Sequence, residues 1–354
     1  MRADHTNASL RLVAFETTRR CNLKCVHCRA LAQDCADPDE LTTERVKSLF
    51  DEIALLGKPI IILTGGEPLL REDIFELAAY GTSLGFRMVM APNGTLLDET
   101  NAAKLKACGI QRISISLDSA DAAKHDRFRG VPGAFTRTLQ GINAAKAVGL
   151  PFQINSTITK HNLDEIEELY RLALDLGAAA FHVFLLVPVG RGKDLAKDAI
   201  TAVEYERTLN WLYDMQRQSP IEIKPTCAPQ YYRILRQRAQ ADGLTVDFAT
   251  FGPAAMTRGC LGGTGFCFVS ATGVVQPCGF LNLTCGDIRQ QPFHEIWQTS
   301  PEFLQLRDYD ALAGKCGACD YRRACGGCRA RGYEQTGNYM APEPLCAYKG
   351  ASPP

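Results

Sequence analysis

The stretch Cys21-Asn-Leu-Lys-Cys25-Val-His-Cys28 follows a short apolar run at residues 10–15. Its C-x3-C-x2-C spacing puts three thiols on one tight loop. An iron–sulfur cubane ordinarily takes four cysteine thiolates, so three leave one iron free to bind a small molecule. An open iron points to chemistry, because a closed cluster only carries electrons. Two blander readings stand beside this one. Zinc also takes thiolates, though commonly in paired C-x2-C spacings with a fourth ligand. Free cysteines also serve as small packing residues.

Size and composition bound the rest. A chain of 354 residues allows one large domain or two modest ones. Apolar residues make up 46%, enough for a substantial core. Lys plus Arg and Asp plus Glu both number 39, so the balance leaves no whole-chain footprint for nucleic acid or an anionic membrane. No apolar run approaches the ~20 residues that span a bilayer. The first residues, Met1-Arg-Ala-Asp-His-Thr-Asn, lack the apolar region of a signal peptide, and a cytoplasmic location is expected. Fifteen cysteines in so large a chain fit reduced metal ligands better than disulfides.

Short, nearly all-apolar runs at 12–17, 60–64, 87–91, 112–117, 152–157 and 181–187 read as parallel strands covered on both faces. Amphipathic stretches at 42–56, 74–84, 99–108, 134–148 and 163–176 alternate with them. Several stop at a glycine: Gly57, Gly85, Gly109, Gly149 and Gly177. The pattern predicts an α/β fold, a curved parallel sheet of six βα units with right-handed crossovers. Active sites of such sheets lie at the carboxyl ends of the strands, where the cysteine loop falls. Residues 1–190 form this core in the sequence reading. Residues 191–250 read as a helical connection, with helices at 202–218 and 230–241. Residues 251–354 are rich in Gly and Cys with little apolar period, as in domains that fold around their metal sites.

Further motifs sharpen the reading. Strand two runs into Thr64-Gly65-Gly66-Glu67-Pro68, where glycines let the backbone approach a small ligand closely. Together with the C-x3-C-x2-C loop, this chain resembles the radical S-adenosylmethionine (SAM) enzymes. The resemblance implies a partial (β/α)6 barrel. It implies a [4Fe–4S] cluster on Cys21, Cys25 and Cys28, whose open iron binds SAM and cleaves it to an adenosyl radical. It further implies SAM contacts at Gly65, Gly66 and Glu67 and at Ser116 after strand four. Arg129 is a further candidate, able to add a charge-assisted contact or to be an ordinary loop arginine. Asn93-Gly94 is a turn signal first.

The second cysteine group is Cys260-x12-Gly273-x4-Cys278, then Cys316-x2-Cys319-x5-Cys325-x2-Cys328, then Cys346. It resembles the SPASM extension of radical SAM enzymes, which carries auxiliary [4Fe–4S] clusters. The family has three residues between the last two cysteines of the run; here Gly326 and Gly327 are two. By position, the resemblance implies one cluster on Cys260, Cys267, Cys278 and Cys328 and another on Cys316, Cys319, Cys325 and Cys346, so one or two auxiliary clusters. The paired C-x2-C knuckles keep zinc open as an alternative. Cys35, Cys108, Cys227 and Cys285 remain as packing residues. Phrases such as Cys25-Val-His-Cys28-Arg-Ala, Phe184-Leu-Leu-Val-Pro-Val-Gly-Arg191-Gly and Cys325-Gly-Gly-Cys-Arg-Ala-Arg331 resemble the haem-biosynthesis branch, the haem b synthases. That resemblance implies oxidative decarboxylation of two propionates of iron-coproporphyrin III to vinyl groups. The implied partners are a tetrapyrrole substrate and a low-potential electron donor such as ferredoxin or flavodoxin. Acetate removal from a related tetrapyrrole and peptide maturation are the alternatives. With only about ten residues ahead of strand one, no leader-binding domain is expected. Arg29, Arg191, Lys193 and Arg331 are candidate propionate clamps, and His27, His182 and His294 are candidate contacts to the substrate iron, although a surface charge or a core histidine is the more ordinary role for each.

Overall fold

The computed structural model describes residues 8–350. The stretch 1–7 and the Ser352-Pro-Pro tail lie outside the described residues. The six expected strands all form: β1 Leu12–Glu16, β2 Ile60–Thr64, β3 Arg87–Met90, β4 Ile113–Ser116, β5 Phe152–Ile158 and β6 Ala180–Leu185. Each pairs parallel with the next. Helices α1 Thr43–Ala54, α2 Ile74–Ser83, α3 Glu99–Ala107, α4 Ala122–Arg129, α5 Ala134–Ala147 and α6 Ile166–Leu176 lie between them. Their faces follow the helical period: α1 buries Val46, Leu49, Phe50 and Ile53. Side chains of Thr42, Asp98 and Asp121 cap α1, α3 and α4 by accepting a first-turn N–H.

The sheet is longer than the sequence pattern indicates. A seventh strand, β7 Glu222–Thr226, pairs parallel with β6 inside the stretch expected to be helical, between α7 Ala202–Gln218 and α8 Tyr231–Ala241. Three more strands, β8 Phe266–Val269, β9 Val274–Gln276 and β10 Gly286–Asp287, extend the other end. The order is β10-β9-β8-β1-β2-β3-β4-β5-β6-β7, and β7 and β10 are left as edges. The sheet is therefore an open partial barrel with the C-terminal region built onto its first strand. Among the described residues no helix is long and apolar enough to cross a membrane.

Burial alternates along the strands and tells the two faces apart. In β4, Ile113 and Ile115 are fully buried against helices, while Ser114 and Ser116 are only half-buried. Register carries the half-buried row sideways, Ser116 to Asn155 to His182 to Lys224. The outer face is a packed core; the inner face carries this more polar, less buried row.

Candidate functional site

The loop leaving β1 closes on itself. Cys21 N–H donates to the Gln33 carbonyl (2.8 Å) and Gln33 N–H to that of Arg19 (3.0 Å). The end of α4 braces it, accepting N–H bonds from Lys24 at Arg129 O (3.1 Å) and from Val26 at Phe128 O (3.0 Å). Cys21, Cys25 and Cys28 come together here, packed with Leu23 and Ala134. Burial pushes the Cys21 thiol up to about 12. Burial raises Cys25 as well, opposed by the Arg129 charge. Thiols held this way ionise when a metal cation takes them, so the donor set suits iron.

The Gly65-Gly66-Glu67 turn is pressed against the strand that leads into the cysteine loop. A Cβ at Gly65 would stand 2.5 Å from the Thr18 carbonyl oxygen, and one at Gly66 2.3 Å from that of Arg20. Gly66 N–H donates to Thr18 O (2.7 Å) and Glu67 N–H to Arg20 O (2.8 Å). The carbonyls of Gly65 and Gly66 have no hydrogen-bond partner among the described residues. Glu67 is fully buried, and its carboxylate accepts the N–H of Asn93 (2.6 Å) and of Leu69 (3.1 Å). Each carboxylate oxygen thus holds one backbone N–H, and Glu67 positions the turn. Asn93 in turn donates to Asn22 Oδ1 (2.8 Å) inside the cysteine loop.

Ser116 ends β4 on the inner face, as the sequence implies. Arg129 does not lie open to that face. It is buried, paired with Asp118 (2.5 Å), and its Nη1 stands 3.6 Å from Cys25 Sγ. The pair arises because strand β4 delivers Asp118 beside α4. Burial disfavours the Arg129 charge, but Asp118 and Cys25 outweigh it and hold its pKa above the ordinary value.

The C-terminal cysteines form two groups. Cys316, Cys319, Cys325 and Cys346, grouped together in the sequence, line one cavity of about 240 Å³. Among the described residues no three His, Cys, Asp or Glu side chains converge on a single-ion point; four thiols spread around a cavity suit a cubane, where each thiolate takes a different iron. The second group departs from expectation. Cys278 and Cys328 share one apolar cluster with Cys227, and a Cβ at Gly262 would touch both Cys260 Sγ (3.7 Å) and Cys278 Cβ (3.7 Å). Cys267 is elsewhere. It is fully buried on β8 in register with Val13, and its ring neighbour Phe268, one residue on, takes the inner face beneath Arg29. Strand alternation therefore turns Cys267 outward into the main core. Cys267 therefore lies apart from Cys260, Cys278 and Cys328, with which the sequence grouped it.

Several of these sulfurs accept backbone hydrogen bonds. Cys21, Cys278, Cys319 and Cys325 each accept an N–H from the residue two places on, at 3.4–3.5 Å. Such N–H···S bonds are a lever on cluster potential. Cys108 and Cys285 also donate to carbonyls, of Leu105 and Leu283.

Residues 15–173 match the family described as the radical SAM superfamily, and residues 260–320 match the SPASM iron–sulfur cluster-binding domain. A protein of Methanosarcina barkeri named AdoMet-dependent heme synthase is 53% identical, covering 97% of this chain and 98% of its own. The chain belongs to the radical SAM superfamily. A second Methanosarcina barkeri protein, Fe-coproporphyrin III synthase, is 32% identical over 95% of this chain and 87% of its own. Among solved structures, Streptococcus suis SuiB bound to S-adenosylmethionine superposes with a TM-score of 0.75 at 18% identity, over 96% of this chain and 78% of that one, a likeness of fold. The cofactors of this radical SAM enzyme are SAM and [4Fe–4S] clusters.

The cationic residues sort by position. Arg29 faces the inner surface, 3.4 Å from Glu16 and 4.4 Å from the Phe268 ring centroid. Arg191 is a strap: its Nε donates to Cys25 O (2.8 Å) and its Nη1 to Ala32 O (3.0 Å). Lys193 pairs with Glu334 (3.1 Å). Arg331 is buried in an ion pair with Glu343 (3.0 Å). Of the histidines, His27 is stacked on Phe128 at 4.3 Å and pushed down to about 3, by burial and then by Arg129. His294 lies on the outer helix Phe293–Thr299, next to α1. His182 sits on the inner row, its Nδ1 2.8 Å from Gln153 Nε2. Sequence reasoning missed Glu343, whose Oε2 accepts the Cys328 N–H (2.6 Å) while its own N–H donates to Cys316 Sγ (3.4 Å). It ties the two cysteine groups together, and a Glu in a Pro-Glu-Pro turn carries no signal of that.

Proposed function

We propose that the protein oxidatively decarboxylates two propionate side chains of iron-coproporphyrin III to vinyl groups, yielding haem b. The observation that carries this reading is a contrast within one organism: the chain is far closer to the heme synthase of Methanosarcina barkeri than to its Fe-coproporphyrin III synthase. The half-buried, polar inner row supports it by offering polar side chains to an anionic substrate.

Each propionate-to-vinyl conversion removes a hydrogen atom, CO2 and one further electron. Cys21, Cys25 and Cys28 would hold the cluster whose chemistry is reductive cleavage of SAM, and the C-terminal cysteines would hold clusters able to accept the further electron. The chain's residues do the positioning. The free carbonyls of Gly65 and Gly66 and the Ser116 hydroxyl bind the amino-acid end of SAM. Glu67 and Asn93 hold that turn against the cysteine loop. Arg29 offers the inner-face cation for a propionate, and His182 is the inner-face histidine for the substrate iron. The enzyme works in the cytoplasm with ferredoxin or flavodoxin as low-potential donor.

The test is direct. Anaerobic protein with reconstituted clusters is given iron-coproporphyrin III, SAM and reductant, and the porphyrin mass is followed. Stepwise loss of two carboxyl groups is expected. Unchanged porphyrin beside vigorous 5′-deoxyadenosine formation would reject this substrate and keep only the radical SAM assignment.

A further inference from the structure

Cys227 is set up in a way a packing cysteine does not need. It follows β7 directly and holds φ at +55°, one of two non-glycine residues with positive φ among the described residues. That conformation is strained for a residue with a side chain and persists only when the surroundings impose it. Here the imposition is visible. The Cys227 carbonyl accepts from Arg331 Nη2 (2.6 Å), and the Tyr205 hydroxyl stands 3.0 Å from it. Arg331 is only 3% exposed and is fixed by Glu343, so the clamp on Cys227 is rigid. The clamp aims the side chain into the apolar cluster that holds Cys278 and Cys328, with Cys260 next to Cys278 across Gly262. Cys267, by contrast, packs in the main core with Val13 and Val269 and not in this cluster.

We infer that Cys227 is the fourth ligand of the first auxiliary cluster, with Cys260, Cys278 and Cys328, and that Cys267 is a core residue. The strand end after β7 thereby binds the cluster domain to the barrel. The inference concerns the cluster alone and holds whichever tetrapyrrole is the substrate.

The experiment uses the full chain, reconstituted without oxygen, with iron and sulfide counted per chain and the clusters observed by EPR. Three variants are compared with the wild type: Cys227→Gly, Cys227→Ser and Cys267→Ala. Glycine is the residue that a φ of +55° favours, so Cys227→Gly removes the sulfur while relieving the backbone. Its melting temperature checks that it folds. Both Cys227 variants should lose about one cluster's worth of iron and sulfide, or show the EPR signal of a cluster short of one iron. SAM cleavage at Cys21, Cys25 and Cys28 should persist. Cys267→Ala should keep the wild-type iron count and spectrum. Wild-type iron, sulfide and EPR in Cys227→Gly would overturn the inference, as would loss of a cluster in Cys267→Ala.

Discussion

Arg129 illustrates how much a single buried side chain sets. Its guanidinium stands 3.6 Å from the sulfur of Cys25, with Asp118 as counter-ion behind it. Reducing a cluster adds negative charge, and a fixed cation beside a ligand sulfur stabilises the reduced state. Arg129→Gln should therefore make the SAM-binding cluster harder to reduce, by on the order of 60 mV, one decade in a one-electron equilibrium. The unpaired Asp118 left behind pushes in the same direction, and costs about 3–5 kcal/mol of stability. Arg129→Lys, which keeps the charge, should restore most of the potential. An EPR-monitored redox titration reads the shift, and an unmoved midpoint in Arg129→Gln would dismiss the electrostatic role. Residue type alone pointed to Arg129 as a SAM contact. The sequence could not say that Asp118, eleven places earlier, would take the guanidinium first. Glu67 is a similar case, since its motif was plain but its partners, the amides of Leu69 and Asn93, depend on how two loops meet.

Elements were legible where a strand is buried on both faces. β1 to β6 are apolar runs bounded by helices with clear periods, and they form where the pattern put them. β7 escaped because Glu222-Ile-Lys-Pro-Thr alternates and contains a proline, which reads as an edge or as no strand at all. β8 to β10 are too short and too rich in turns to show a period. Missing β8 is what misplaced Cys267, because only the strand reveals that residue's face. The helix Arg329–Thr336 was hidden by its charge, yet it carries Arg331 into the barrel to meet Glu343, Tyr205 and the carbonyl of Cys227. A buried ion pair loses most when one partner goes, because the other is left uncompensated. Arg331→Met and Glu343→Leu should each destabilise by about 3–5 kcal/mol, and the double variant by clearly less than their sum. Denaturant unfolding of the four proteins measures the coupling, and strict additivity would show that the pair does not act as a unit.

On the scale of the whole molecule, the C-terminal cluster region is not an appendage. β8 pairs along β1 through four registered residues, so the first strand of the barrel is a central strand of the complete sheet. The Trp297 Nε1 donates to the Ala8 carbonyl (3.0 Å) just ahead of β1. Phe293, Ile296, Trp297 and Phe303, all from the C-terminal region, are buried to 1% exposure or less within the main core. At about 1.5–3 kcal/mol for each large apolar side chain buried, those four contribute roughly 6–12 kcal/mol. Whole-domain stability is only about 5–15 kcal/mol. A chain ending at residue 250 would lose that burial and expose the edge of β1, whose unpaired N–H and C=O groups invite pairing with other chains. It should therefore aggregate, or fail to unfold cooperatively, rather than survive as a smaller SAM-cleaving barrel. Sedimentation and a far-UV circular dichroism melt of residues 1–250 test this. A monomeric fragment with a sharp transition and 5′-deoxyadenosine formation would mean that barrel and cluster region fold as separate units, and that the shared sheet is dispensable to the first.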